Sequence, residues 1–141
     1  MENKKIQLNK GYVLVYDFGN VKVHNYSTQD YIDDQVIMLE KNNKIVVIES
    51  PAFYDNNVEL ENYIKSLGVT LDGVLLSYHM GGGTFLSEAK KYATHKADEY
   101  GHTGGGKALV DNFAKTFGES FDNNIHNVTD YIESGKITLA D

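Results

Sequence analysis

Residues 74–86 read Val-Leu-Leu-Ser-Tyr-His-Met-Gly-Gly-Gly-Thr-Phe-Leu. Val74, Leu75 and Leu76 form a short apolar run that suits a strand buried on both faces. Ser77-Tyr78-His79-Met80 and three glycines, Gly81, Gly82 and Gly83, break the run. Thr84 can then cap a helix, expected from about Thr84 to Tyr92, through Phe85, Leu86 and Ala89. A polar loop between a buried strand and a helix N-terminus is where α/β folds usually place their chemistry. Glycines there permit positive φ and close approach of the backbone to a ligand. The loop, with Ser77, Tyr78, Gly81, Gly82 and Gly83, is therefore the first candidate ligand-binding element.

Upstream of it the pattern is that of strands. Gly11 to Phe18 is rich in Val and Tyr, Gly19-Asn20 reads as a tight turn, and Val21 to Asn25 as the return strand. Gln35 to Glu40 gives a third strand, Asn42-Asn43 a turn, and Ile45 to Ile48 a fourth. These form an antiparallel meander. Pro51 ends the fourth strand and Asn57 is a plausible N-cap. Leu60, Tyr63, Ile64 and Leu67 then fall at helical spacing, and Gly68 closes the helix. Strand, helix and strand 74–76 make one βαβ unit, expected to be parallel and right-handed. The fold class read from this order is α/β (α+β), a meander plus βαβ in a single domain over residues 1–141.

The downstream half gives fewer signals. Ala93 to Tyr100 fits no single pattern. Gly101 to Gly106 reads as a second glycine loop. Lys107 to Phe117 reads as a helix with Val110, Phe113, Ala114 and Phe117 on one face. Val128 to Ile132, a turn at Ser134-Gly135, and Ile137 to Leu139 read as a closing hairpin.

Composition narrows the function classes. The 141 residues carry a net charge of −7, and all thirteen basic residues are lysine. An acidic surface argues against binding nucleic acid or an anionic membrane face. No stretch is apolar enough to span a membrane, and no signal peptide is legible after Met1, so a cytoplasmic location is expected. There is no cysteine, which removes disulfides, thiolate metal sites and a Cys nucleophile. A metal would need His, Asp or Glu.

Three strings could carry chemistry. The first is the loop 77–83, with His79. The second is Gly101-His102-Thr103-Gly104, where His102 could be a ligand if the fold brought it beside His79. The third is Gly101 to Lys107, which fits the phosphate-loop spacing GxxxxGK. There Ala108 stands where Ser or Thr should hold magnesium, and no buried strand precedes it. An anion at Gly105, Gly106 and Lys107 is the residual reading. Against each stands a plain alternative: His79 hydrogen-bonding locally, and glycine-rich turns.

The order of parts resembles the metallo-β-lactamase-like hydrolases. An antiparallel meander ends in a strand with an acidic residue, here Glu49. A helix and a strand follow, here ending at Ser77, and then a histidine loop with trailing glycines, here Tyr78-His79-Met80-Gly81-Gly82-Gly83. Gly101-His102-Thr103-Gly104 is similar to the family's later GHTxG segment, although in the family that segment lies well downstream. The resemblance implies half of an αββα sandwich and one or two zinc or iron ions. Those ions activate water against an ester, amide, thioester or phosphodiester bond.

The loop departs from the family's HxHxDH motif. It keeps one histidine and no aspartate, whereas three protein ligands are the usual minimum for a catalytic metal. The expectation is a degenerate metal loop in a domain not catalytic as it stands, able to bind a small ligand or a partner. The alternative is a metal-dependent hydrolase using His79. The resemblance further implies that this chain is the first part of a larger domain. A lone half would leave a sheet face uncovered, to be closed by a missing C-terminal half or by a homodimer.

Overall fold

The computed structural model describes residues 2–77, 82–103, 105–126 and 128–140. Eight strands form one sheet in which each pairs with its sequence neighbour. They are β1 (Glu2–Gln7), β2 (Tyr12–Asp17), β3 (Lys22–Ser27), β4 (Gln35–Lys41), β5 (Lys44–Ile48), β6 (Thr70–Leu76), β7 (Lys91–Ala93) and β8 (Thr138–Leu139). The first five are antiparallel. From β5 to β8 the pairings are parallel. The helices are α1 (Tyr54–Ser66), α2 (His95–His102), α3 (Gly105–Phe117) and α4 (Val128–Glu133). No helix among the described residues is long and apolar enough to cross a membrane.

The meander and the parallel βαβ unit agree with the sequence pattern. The strand expected over residues 74–76 runs from Thr70, however, and is not buried on both faces. Val74 and Leu76 are buried while Leu75 is 43% exposed, because among the described residues only one face of the sheet is covered by helices. Asn42 and Asn43 both take positive φ, 52° and 62°, the geometry that a two-residue hairpin favours. β1 has no counterpart in that pattern. Its Glu-Asn-Lys-Lys start shows no apolar alternation, and its strand state comes from pairing with β2. α1 begins at Tyr54 rather than after Asn57, with Phe53 at its N-cap.

Two expectations fail in the second half. Residues 84–92 are not a helix: 83–88 are turns, and Lys91–Ala93 is β7. Val128 to Ile132 is not a strand but the body of α4. Consequently β8 pairs in parallel with β7, not with a hairpin partner. The first error falls on a strand of three residues, and the second on a helix of six rich in residues that favour strands in isolation. Such segments show no period of their own, and neighbours decide their state.

Alternation gives the sheet two unlike faces. On one, Val13, Tyr26, Val36, Met38, Ile45, Val47, Val74 and Leu76 are buried. Leu60, Tyr63 and Ile64 of α1, Ala97 of α2 and Tyr131 of α4 join them in one apolar cluster. The other face carries the row Leu14, Asn25, Ile37, Ile48, Leu75 and Tyr92, opposite one another across the strands. A second row holds Tyr16, Val23, Leu39 and Val46. None of these ten residues is buried, and Leu39 and Leu75 are 39% and 43% exposed.

Candidate functional site

Parallel pairing sets the carboxyl ends of β5, β6 and β7 side by side, so Glu49, Ser77 and Thr94 leave the sheet together. Glu49 takes a positive φ of 78°, an uncommon conformation for a residue with a Cβ. Two hydrogen bonds hold it there. Its N–H donates to the Leu75 carbonyl at 2.8 Å, and its Oε1 accepts from the Ser77 N–H at 2.5 Å. Thr94 accepts from the Ala97 N–H and caps α2. The carboxylate where the resemblance expects an acidic strand end is thus occupied in joining two strand ends.

After the glycines, Thr84 is held by Asp122, a residue that no local pattern singles out. Asp122 is fully buried. Its carboxylate accepts from Asn57 Nδ2 at 2.7 Å, the Thr84 N–H at 2.8 Å, Thr84 Oγ1 at 2.9 Å and the Asn124 N–H at 3.1 Å. A buried carboxylate is stable only when so supplied with donors. Its own N–H donates to the Ala52 carbonyl. Asp122 therefore ties Thr84 to α1 and to the segment after α3. Asn57, expected as a helix cap, is instead wholly buried inside α1 as one of these donors, and its Oδ1 has no partner among the described residues.

The glycines answer to this packing. Gly83 has φ of +58°, and a Cβ there would meet Ile125 Cγ1 and lie 2.9 Å from Asp122 Oδ2. Gly82 has φ of +65°, and a Cβ there would lie 2.9 Å from Lys91 Cε and 3.2 Å from its Nζ. At both positions the close approach is to the chain's own side chains. Further along, the Leu86 N–H donates to Glu61 Oε1 at 2.7 Å.

Tyr78, His79 and Gly81 lie outside the described residues. Ser77 is at the end of β6, half-buried. His102 lies in the last turn of α2, not in a glycine loop, with Nε2 3.4 Å from Asp98 Oδ1. Asp98 is shared, because Thr129 Oγ1 donates both to its carboxylate and to its carbonyl, each at 3.0 Å. Gly105 and Gly106 form the first turn of α3, and Lys107 pairs with Asp111 at 3.3 Å. Among the described residues no three His, Asp or Glu side chains converge as a metal set. The described donors therefore do not by themselves fit the zinc or iron that the resemblance implies.

Of the remaining histidines, only His24 is buried among the described residues, and His95 opens α2 at the surface. His24 has Nδ1 2.7 Å from the Tyr63 hydroxyl and Nε2 2.8 Å from Glu40 Oε1. Burial and then the Glu40 charge push the Tyr63 hydroxyl up to about 12. Tyr26 donates to Glu59 at 2.9 Å and accepts from Asn56 at 2.8 Å, and burial raises it as well. His126 is exposed and lies edge-on to Tyr131 at 5.5 Å.

No protein-family model matches the chain, and no curated protein matches it in sequence. Among solved structures it is similar to DIM-1 metallo-β-lactamase, at 15% identity, with 74% of this chain and 47% of the other covered and a TM-score of 0.45. It is also similar to TMB-1, at 16% identity, with 74% and 49% covered and a TM-score of 0.43. The chain spans about half the length of these structures. Both are likenesses of backbone course, at an identity too low to carry over a residue's role.

Proposed function

We propose that this chain is a metallo-β-lactamase-like domain that binds rather than hydrolyses, and that a second copy covers the open face of its sheet. The observation that carries the reading is the pair of rows on that face, apolar or aromatic but for Asn25, with Leu39 and Leu75 exposed among them. Neighbouring apolar side chains left uncovered on a sheet face mark an interaction surface. A twofold pairing of two such faces would put sheet against sheet between two helical layers, with one self-complementary contact. The absence of catalysis rests on the loop's composition, with one imidazole and no carboxylate between Ser77 and Gly83. It also rests on the prior commitments of Glu49 to Ser77 and of Asp122 to its four donors.

A metal-dependent hydrolase is the second reading, favoured by the His102–Asp98 pair. Two measurements on the purified protein separate the readings. Sedimentation velocity across a wide range of concentration should give a dimer, and a compact monomer throughout would overturn the assembly. Metal analysis by mass spectrometry, after incubation with zinc and desalting, should find no stoichiometric metal. One or two ions per chain, lost in His79→Ala, would replace the binding reading with the hydrolase.

A further inference from the structure

The closed face of the sheet contains one residue of the wrong kind. Across the strands run Val15, His24, Met38, Val47, Val74 and then Lys91. Lys91 is 7% exposed, while the other twelve lysines are all exposed. A lysine in such a row is normally held by a carboxylate. Among the described residues no carboxylate oxygen lies within 4 Å of its Nζ, although the exposed lysines 10, 65, 96 and 107 all have such partners.

Lys91 instead lines a cavity of about 220 Å³ with Gly83, Glu88, Tyr131 and Lys136. The end of its side chain lies against Gly82, where a Cβ would leave it no room. Lys136 reaches over the Tyr131 ring, its Nζ 5.6 Å from the centroid. Tyr131 is fixed in turn, donating its hydroxyl to the Asn124 carbonyl. Among the described residues, the cavity thus offers one buried amine with no ion pair, one exposed ammonium at its edge and one exposed carboxylate, Glu88. It is smaller than a drug-sized pocket and suits a molecule of a few heavy atoms.

We propose that Lys91 is a reactive amine that forms an imine with a small aldehyde or keto acid, whose carboxylate is held by Lys136. The nitrogen lone pair adds to the carbonyl carbon, and the carbonyl oxygen takes up a proton. The resulting hydroxyl leaves as water when the C=N bond forms, so amine and carbonyl give imine and water with no oxidant or reductant. The step needs the neutral amine, and a desolvated lysine beside another cation supplies it. Burial holds the Lys91 amine below the ordinary lysine range. Glu61, Asp122 and Glu88 act against that shift, and Lys136 adds to it. The site lies on the closed side of the sheet and is independent of how the open face is covered.

The test treats the intact protein at neutral pH with glyoxylate and cyanoborohydride, and maps adducts on all thirteen lysines by peptide mass spectrometry. Lys91 should be labelled ahead of every exposed lysine. Adducts on the exposed lysines with Lys91 spared would overturn the proposal. Repeating the reaction with propionaldehyde tests the second half. Wild type should favour glyoxylate at Lys91, and Lys136→Met should remove that preference while Lys91 stays the first residue labelled by propionaldehyde. An unchanged preference in Lys136→Met would overturn the assignment of Lys136 to the carboxylate.

Discussion

The two faces of the sheet are built by the same strands and differ in what holds them. The closed face is packed by helices, and most of its buried polar groups are supplied with partners: His24 by Tyr63 and Glu40, Asn56 by Tyr26 and the Thr28 carbonyl, Asp122 by four donors. Among the described residues the exceptions are Lys91, which has no ion pair, and Asn57 Oδ1. The open face has two largely apolar rows, and nothing among the described residues buries them. One face contributes to folding, while the other is where the proposed second copy would pack. Substitutions on the two faces should be read out by different experiments.

The largest effect is expected at Asp122. Asp122→Ala strands the buried Asn57 amide and the Thr84 donors, so it should lower stability by about 3 kcal/mol or more, measured by urea unfolding. A loss below about 1 kcal/mol would mean that Thr84 and α1 do not depend on this carboxylate. Gly83→Ala adds a Cβ where φ is +58° and Ile125 and Asp122 fill the space. It should cost about 2 kcal/mol in the same assay.

Tyr63→Phe removes the hydroxyl beside His24 and should cost about 1 kcal/mol near neutral pH. It should also alter the alkaline limb of the stability curve. The folded Tyr63 hydroxyl is raised from 10.0 to about 12, so its contribution is whole below the lower value and is lost as pH rises through the upper one. Tyr26 is raised in the same direction, so the wild type should weaken there. The Tyr63→Phe variant should weaken less steeply across that range, as followed by denaturant midpoints at a series of pH values.

The smallest effect on folding is expected on the open face. Leu75→Glu should change the monomer's unfolding free energy by no more than about 0.5 kcal/mol, yet should abolish the dimer in sedimentation. A large loss of stability without any change in association would mean that the open face belongs to the fold rather than to an interface.

Legibility in the sequence follows the range of the interactions. The meander can be read because β2, β4 and β5 are rich in β-branched, Leu and Tyr residues and β3 follows a Gly-Asn turn. The βαβ unit can be read because β6 ends in the apolar run of residues 74–76 and α1 repeats at helical spacing. β7 and β8 cannot be read, because strands of three and two residues carry no period and exist through parallel partners distant in sequence. α4 reads as a strand because Val128, Thr129, Tyr131 and Ile132 favour strands in isolation, and packing against α2 and the closed face overrides that preference. The glycine loop is legible as a close approach, but the groups it approaches are not. Asp122 is separated from Thr84 by 38 residues, and Lys91 follows another lysine in what reads as a solvated pair.

Residue type and local spacing were enough for an antiparallel meander, the helix that crosses between β5 and β6, and a glycine loop with a single histidine. Each of these is written in neighbouring residues of the chain. Which face the helices cover, the place of Lys91 in the buried row, and the hold of Asp122 on Thr84 all required the assembled fold. They depend on register across strands and on contacts between distant segments, for which no local pattern exists.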